Sequence, residues 1–227
     1  MDDGGGRLVR GRGNRAARAA APPERRRLSR VRGPTEARMR HAGFTIETFD
    51  ADDASAVEQA AAILHAEIGP PRHAGFGSLA GARDEVRDCL ADGRHAFLAR
   101  AANGDILGWA GARPEYDGHV WELHPLVVRR DAQRRGIGTA LVAAVESLAR
   151  DKGGLTLLLG ADDEDFRSSL GGVDLYDALP ARLAAASTDR DHPIAFYTRI
   201  GFTIVGVIPD ANGRRKPDIL LAKRLRP

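Results

Sequence analysis

The chain has 227 residues, 43% of them apolar, a single cysteine and a formal net charge of +3. That length holds one well-packed domain, with or without a tail, and one cysteine excludes both a disulfide framework and a thiolate metal cluster. No apolar run reaches membrane-spanning length and the N-terminus lacks the apolar core of a secretory signal, so a reducing cytoplasm is expected.

Charge divides the chain. Residues 1–40 carry twelve arginines against four acids, and the remainder carries 22 basic against 27 acidic side chains. The globular part is therefore acidic, which favours a cationic partner over nucleic acid. Residues 1–40 are rich in Arg, Gly, Ala and Pro and hold too little apolar surface to offset the entropy of ordering them. They read as a disordered basic tail, with a globular domain over 41–227. The tail has three readings: a nucleic-acid or membrane-surface segment, an organelle-targeting peptide with one serine (Ser29), or a leader ahead of a start at Met39. The last is the favoured one.

From there the pattern alternates. Phe44–Phe49 reads as a strand and Asp53–Glu67 as a helix capped by Asp52 or Asp53, with Val57, Ala61, Ile63 and Leu64 on its apolar face. Leu79–Leu90 reads as a second helix holding Cys89, a small buried filler. His95–Ala101 and Ile106–Ala112 are strands joined by Ala102-Asn103-Gly104-Asp105, whose Asn-Gly pair signals a hairpin. His119–Val128 is the next strand, Gly138–Arg150 an amphipathic helix, and Leu155–Leu159 an apolar run fit for a buried strand. Helices are expected over Asp174–Ala186 and Pro193–Ile200, the latter opening on proline and stopping at Gly201. Strands over Phe202–Ile208 and Ile219–Lys223 flank a turn at Asn212-Gly213. This order predicts an α/β (α+β) domain, a mixed sheet covered by helices.

The most informative segment runs from Trp121 to Leu141. A strand feeds a helix through Gln133-Arg134-Arg135-Gly136-Ile137-Gly138. Unpaired backbone N–H groups at the helix start, the helix dipole and two arginines together suit a pyrophosphate. Gly136 and Gly138 let the backbone approach a phosphate, Arg134 and Arg135 add charge-assisted contacts, and Thr139 places a hydroxyl in the first turn. No Gly-Lys-Ser/Thr follows, which excludes a P-loop, and a hairpin precedes the motif, which separates it from a dinucleotide fold.

The turn resembles the Q/R-x-x-G-x-G/A pyrophosphate loop of the GNAT superfamily of N-acetyltransferases. The segment from His192 to Phe202 resembles that superfamily's later A-x-x-F-Y-x-x-x-G-F motif. Further stretches resemble one branch, the aminoglycoside 6'-N-acetyltransferases: Trp-Glu-Leu-His-Pro-Leu-Val-Val (121–128), Gly-Ala-Asp-Asp-Glu (160–164), Ser-Ser-Leu (168–170), His-Pro (192–193), Pro-Asp-Ala-Asn-Gly (209–213) and Lys-Pro-Asp-Ile (216–219). The likeness runs from about Tyr116 to Lys223; residues 41–115 fit in pattern only, and residues 1–40 do not match.

The resemblance implies a mostly antiparallel sheet splayed at an acetyl-CoA site, direct attack of a drug amine on the thioester, and a homodimer. It implies that the N–H groups of residues 134–139, including Ile137, meet the pyrophosphate, and that the pantetheine arm lies along Leu126, Val127 and Val128. It places Tyr197 as general acid for the departing thiolate, and lets Tyr116 pack on a sugar ring. The residues also make chemical sense unaided. Glu122 and His124 point to one face of their strand; an attacking amine must be neutral, so Glu122 is the expected proton acceptor. His124 either orients Glu122, relays a proton or packs structurally. The Leu126 N–H is placed to hold the thioester oxygen as it becomes an oxyanion, exposed by a kink at Pro125. Asp162, Asp163 and Glu164 form an acidic loop suited to a polycation, Asp163 more than Glu164. His192 and Pro193 shape the start of the Tyr197 helix. The scattered histidines predict no metal site. Two other readings remain: the same chemistry on a polyamine, small metabolite or protein amine, and a CoA-sensing or nucleic-acid-binding protein that uses the tail.

Overall fold

The computed structural model describes residues 39–69, 77–190 and 192–226. Most of the tail expected over residues 1–40 lies outside them. Its last two residues do not belong to a tail: Met39 and Arg40 form, with His41, a first strand, β1 (Met39–His41), paired antiparallel with β2 (Phe44–Thr48) through Met39↔Ile46 and Arg40↔Thr45. The order continues with α1 (Ala54–Ile68), α2 (Leu79–Cys89), β3 (His95–Ala101), β4 (Ile106–Glu115), β5 (Val120–Val128), α3 (Ile137–Asp151), β6 (Thr156–Asp162), α4 (Leu179–Ala184), α5 (Pro193–Arg199), β7 (Thr203–Ile208) and β8 (Asp218–Arg224). The eight strands form one sheet in the order β1-β2-β3-β4-β5-β6-β8-β7. Every neighbouring pair is antiparallel except β5 and β6, the mostly antiparallel mixed sheet that the sequence leads one to expect.

Local chemistry accounts for many of the boundaries. The Asp53 carboxylate caps α1 by accepting the Ala56 N–H at 2.9 Å, and Ser78 caps α2 through the Gly81 N–H at 3.1 Å; each cap stabilises its helix by ~1 kcal/mol. Arg100 of β3 donates to both Asp53 (2.8 Å) and Glu47 (2.6 Å), tying the α1 cap to β2. Gly104 takes a φ of +93° in the expected β3–β4 hairpin turn.

Period-two alternation splits the core into two layers. Phe97 and Ala99 of β3 face the cluster under α3, while Ala96 and Leu98 face the cluster under α1 and α2. Trp109 is fully buried in the second cluster and donates its indole N–H to the Ala60 carbonyl at 3.2 Å.

The helix expected over 174–186 is confined to Leu179–Ala184. Pro180 stands in its first turn, where a missing N–H is harmless, and cannot sit inside a longer helix. Upstream, the Asp174 carboxylate accepts the Tyr176 N–H at 3.0 Å in a local turn that competes with helix.

A buried charge cluster joins α3 to β8 and the end of α5. Glu146, 7% exposed, receives Lys223 Nζ at 2.5 Å and Arg150 Nη2 at 2.7 Å, and Lys223 also donates to the Ile200 carbonyl at 2.7 Å. Both cations are partly solvated, which softens their loss of a partner. Glu146→Ala is expected to destabilise the fold by ~2 kcal/mol, below the full value for a wholly buried pair, as read from denaturant unfolding.

Candidate functional site

The site begins where β5 and β6 part. They pair only through Val120↔Thr156, Trp121↔Leu157 and Glu122↔Leu158. Beyond Glu122, β5 keeps β4 as its neighbour and β6 keeps β8. Backbone groups of β5 that point toward β6 therefore have no ladder partner past this point. A bulge in β5 marks the divergence: between Ala110↔Leu126 and Ala112↔Leu123, the single residue Gly111 faces both His124 and Pro125. Pro125 has no N–H to give to the ladder. Gly111 is required by contact rather than by torsion, because a Cβ there would stand 2.3 Å from the His124 carbonyl oxygen. Gly111→Ala is expected to displace β5 at the site, cost ~1–3 kcal/mol in unfolding experiments, and reduce any acyl transfer more than tenfold (~10² for a misplacement of about 1 Å).

The opening is a cleft of about 390 Å³. Leu126, Val127 and Val128 form one wall, Asp162, Asp163 and Glu164 the other, and His124, His192, Pro193 and Tyr197 also line it. The basic turn lies at one end. Gln133 folds back to donate its Nε2 to the Val128 carbonyl at 3.0 Å, and Arg130 N–H donates to Glu67 of α1 at 2.9 Å. Arg134 (φ +62°) and Gly136 (φ +82°) are left-handed, and α3 starts after Gly136 with no side-chain cap. The first-turn N–H groups are thus unspent by any capping side chain, and Arg134 and Arg135 are exposed beside them. Thr139 is exposed, whereas Ile137 is 1% exposed and offers this end only its backbone. The two glycines serve different ends: Gly136 supplies the left-handed turn, while Gly138 makes room for Phe196 of α5, whose Cζ would stand 3.3 Å from a Cβ there.

Glu122 faces a second, adjoining cavity of about 220 Å³, lined by Glu85, Asp88, Cys89, Arg94, Ala112, Arg113, Glu122 and His124. His124 borders both. Across the ladder Arg113 is paired with Glu122, and its Nε sits against Glu122 Oε2 and 3.1 Å from Glu115. His124 Nε2 lies 3.4 Å from Glu85 Oε1. Cys89 is the buried filler expected; burial pushes its thiol up to about 12.

Asp163 corrects an expectation. It is 1% exposed, and its carboxylate accepts the Arg167 N–H (2.7 Å), the Ser168 N–H (3.0 Å) and the Ser168 hydroxyl (2.6 Å). It shapes the 163–171 loop from inside and has little left for a ligand. Asp162 and Glu164 carry the outward charge, with Asp162 accepting from Asn212 Nδ2. His192 Nδ1 accepts the Ile194 N–H at 3.2 Å and so caps α5; its Nε2 is 3.7 Å from Asp163. Burial lowers its pKa, which keeps the ring neutral.

Tyr197 projects from α5 with its ring between Phe196 (5.1 Å) and Phe202 (5.6 Å), and burial raises its pKa so that the phenol keeps its proton. Tyr116 lines neither cavity. It is 75% exposed at φ +49° in the turn before β5, followed by Asp117 at φ +55°. Glu85, Arg113 and Asp218 are the neighbours the sequence does not reveal. Asp218 lies on the sheet face shared by Glu122 and Asp162, above Gly160, where a Cβ would be 2.5 Å from its Oδ2. Its Oδ1 is buried without a hydrogen-bond partner among the described residues, and burial, then the charge of Asp162, pushes the carboxyl up to about 6. Among the described residues no cluster of His, Cys, Asp and Glu suits a metal ion, and no helix is long and apolar enough to cross a membrane.

The family model for the acetyltransferase (GNAT) family matches residues 62–179. Among solved structures the chain is similar to an aminoglycoside 6'-N-acetyltransferase complexed with coenzyme A, at 36% identity and a TM-score of 0.73, over 80% of this chain and 97% of that one. It is equally similar in sequence, 36%, to the aminoglycoside 6'-N-acetyltransferase from Enterococcus faecium, with a TM-score of 0.72 and the same 80% and 97% coverage. An aminoglycoside 6'-acetyltransferase type Ii follows at 31% identity and a TM-score of 0.61, again over 80% and 97%. No curated protein sequence matches the chain significantly.

Proposed function

The chain belongs to the GNAT family of acetyltransferases, and from that premise we propose that it is a cytoplasmic enzyme that transfers the acetyl group of acetyl-CoA to the 6'-amine of an aminoglycoside, conferring resistance. The observation that carries this reading is the polarity of the cleft. One end presents an uncapped helix N-terminus with Arg134 and Arg135, suited to a polyanionic cofactor. The wall facing Leu126–Val128 presents Asp162 and Glu164, with Glu122 and Asp218 on the adjoining sheet face, suited to a polycationic acceptor. The similarity to aminoglycoside 6'-N-acetyltransferases, one of them complexed with coenzyme A, points the same way.

In this reading the N–H groups of residues 134–139 hold the pyrophosphate, and the edge of β5 along Leu126, Val127 and Val128 that faces β6 without a ladder partner receives the pantetheine amides as an added strand would. The Leu126 N–H holds the thioester oxygen. Glu122 binds the substrate ammonium, displacing Arg113, and takes one proton. The neutral amine attacks the thioester carbon, the C–S bond breaks, and Tyr197 protonates the thiolate. Alignment in the ternary complex supplies much of the rate. Tyr116 offers an exposed ring to a sugar. A homodimer belongs to the same reading, supported by Val205 and Ile208, exposed on the edge strand β7.

Thiol release from acetyl-CoA with a panel of aminoglycosides, polyamines and peptide amines, with product position read by NMR, tests the reading. Acetylation at the 6'-amine is expected. Turnover of polyamines or peptides alone would move the acceptor to another class, and no turnover with any amine would overturn acetyl transfer.

A further inference from the structure

Nothing in that mechanism uses Glu85, yet the fold fixes it against the site. It projects from α2, and Oε1 lies 3.4 Å from His124 Nε2 while accepting the Cys89 thiol at 3.6 Å. The same thiol reaches the His124 carbonyl at 3.7 Å, and Gly111 leaves room for that carbonyl on the β4 side. His124 is therefore held through both its ring and its backbone. The Glu85 carboxyl stays below the ordinary carboxylate range, first through its hydrogen bond with His124 and despite partial burial. Other charges around the ring have partners of their own: Arg94 pairs with Asp88 at 2.9 Å, and Arg113 with Glu122 and Glu115. Asp218 on β8 also interacts with His124 through its charge.

We propose that Glu85 is a positioning residue: it holds the His124 ring by Nε2 at the cavity that Glu122 also lines, leaving the other ring nitrogen, Nδ1, to relay the substrate's proton away from Glu122. The proposal rests on the acetyl-transfer reading. The net reaction, R–NH3+ plus acetyl-CoA giving R–NH–acetyl, CoA–SH and H+, releases one proton. Glu122 takes it from the ammonium as the amine becomes neutral. His124 Nδ1 then receives it, directly or through one water, and Glu85 balances the imidazolium charge. The ring, half of its surface open to solvent, delivers the proton to water. The second nitrogen proton, lost as the tetrahedral adduct collapses, is the one balanced at the thiolate.

Three variants test this on the full chain. Glu85→Gln is expected to lower kcat about tenfold, to change the shape of the pH–rate profile and to leave acetyl-CoA affinity unchanged; Glu85→Asp restores part of the rate. Independently of turnover, carbon NMR of the Glu85 carboxyl is expected to show its titration rising toward the ordinary range in His124→Asn. A Glu85 carboxyl that titrates alike with and without His124, or a Glu85→Gln variant with the wild-type profile, overturns the proposal while leaving acetyl transfer standing. A wild-type protein that turns over no amine overturns the acetyl-transfer reading and the relay with it.

Discussion

Glu122→Gln is expected to lower kcat by ~10²–10⁴-fold, the range for loss of a positioned base, with acetyl-CoA affinity unchanged. The substitution is nearly isosteric and keeps an acceptor oxygen, so what it removes is the charge and the ability to take a proton. Structural damage does not explain such a loss. Arg113, the partner left behind, is 42% exposed and still has Glu115 at 3.1 Å, so its charge is solvated and re-paired rather than stranded. In the proposed reading the cofactor is held by other residues, the α3 N-terminus and the Leu126–Val128 backbone. Thiol-release kinetics and calorimetric titration with acetyl-CoA separate the two effects. A variant within about threefold of the wild-type rate would move the base elsewhere, given that a positioned base contributes at least ~10².

Much of the fold is legible because its signals are local. Asn103-Gly104 sets its own hairpin, Asp53 and Ser78 cap the helices that follow them, and Gly136 carries the left-handed turn ahead of α3. The strand–turn–helix segment proposed to hold the cofactor is legible for the same reason, since a strand, a turn and a helix N-terminus are contiguous in the chain. Glu122 and His124, two residues apart on one strand, are legible by strand periodicity. The acceptor side is assembled across the chain instead. Glu85 meets His124 from a helix 39 positions upstream, Arg113 meets Glu122 through the β4–β5 register, and Asp218 reaches the site face through β8. No local spacing encodes these contacts. Asp163 shows the converse limit. Among several acids in a row its charge looks available, and only the fold reveals that three donors from the 167–168 stretch take its carboxylate.

Asp218→Asn is expected to stabilise the free protein while weakening its hold on a cationic acceptor. The sign follows from the direction of the shift. Burial and the neighbouring Asp162 push the carboxyl from its ordinary 3.8 up to about 6. Above pH 6 the group is ionised in both folded and unfolded chains, and the folded state bears the whole penalty. As pH falls from 6 toward 3.8 the folded protein takes up the proton first and the penalty fades. A shift of this size corresponds to ~3 kcal/mol, reduced to ~2 kcal/mol by the solvent that still reaches the side chain. Asparagine keeps the shape, removes the charge, and gives the neighbouring carboxylates an amide donor. Denaturant unfolding at pH 7.5 should therefore show the variant more stable by ~2 kcal/mol, with the gain vanishing near pH 4. The strain has a use if the acceptor is a polycation: an ammonium brought beside Asp218 relieves the repulsion from Asp162 and Glu122 that the free protein carries, so binding energy is drawn from destabilisation already present. The acceptor KM of the variant should rise about tenfold, the loss of one charge-assisted contact, with little change for acetyl-CoA, which the proposed reading places on the α3 N-terminus and the Leu126–Val128 strand. Equal stability of the two proteins at pH 7.5 would mean that the carboxyl is not strained. A stabilised variant with unchanged acceptor KM would mean that the strain serves something other than the substrate's charge.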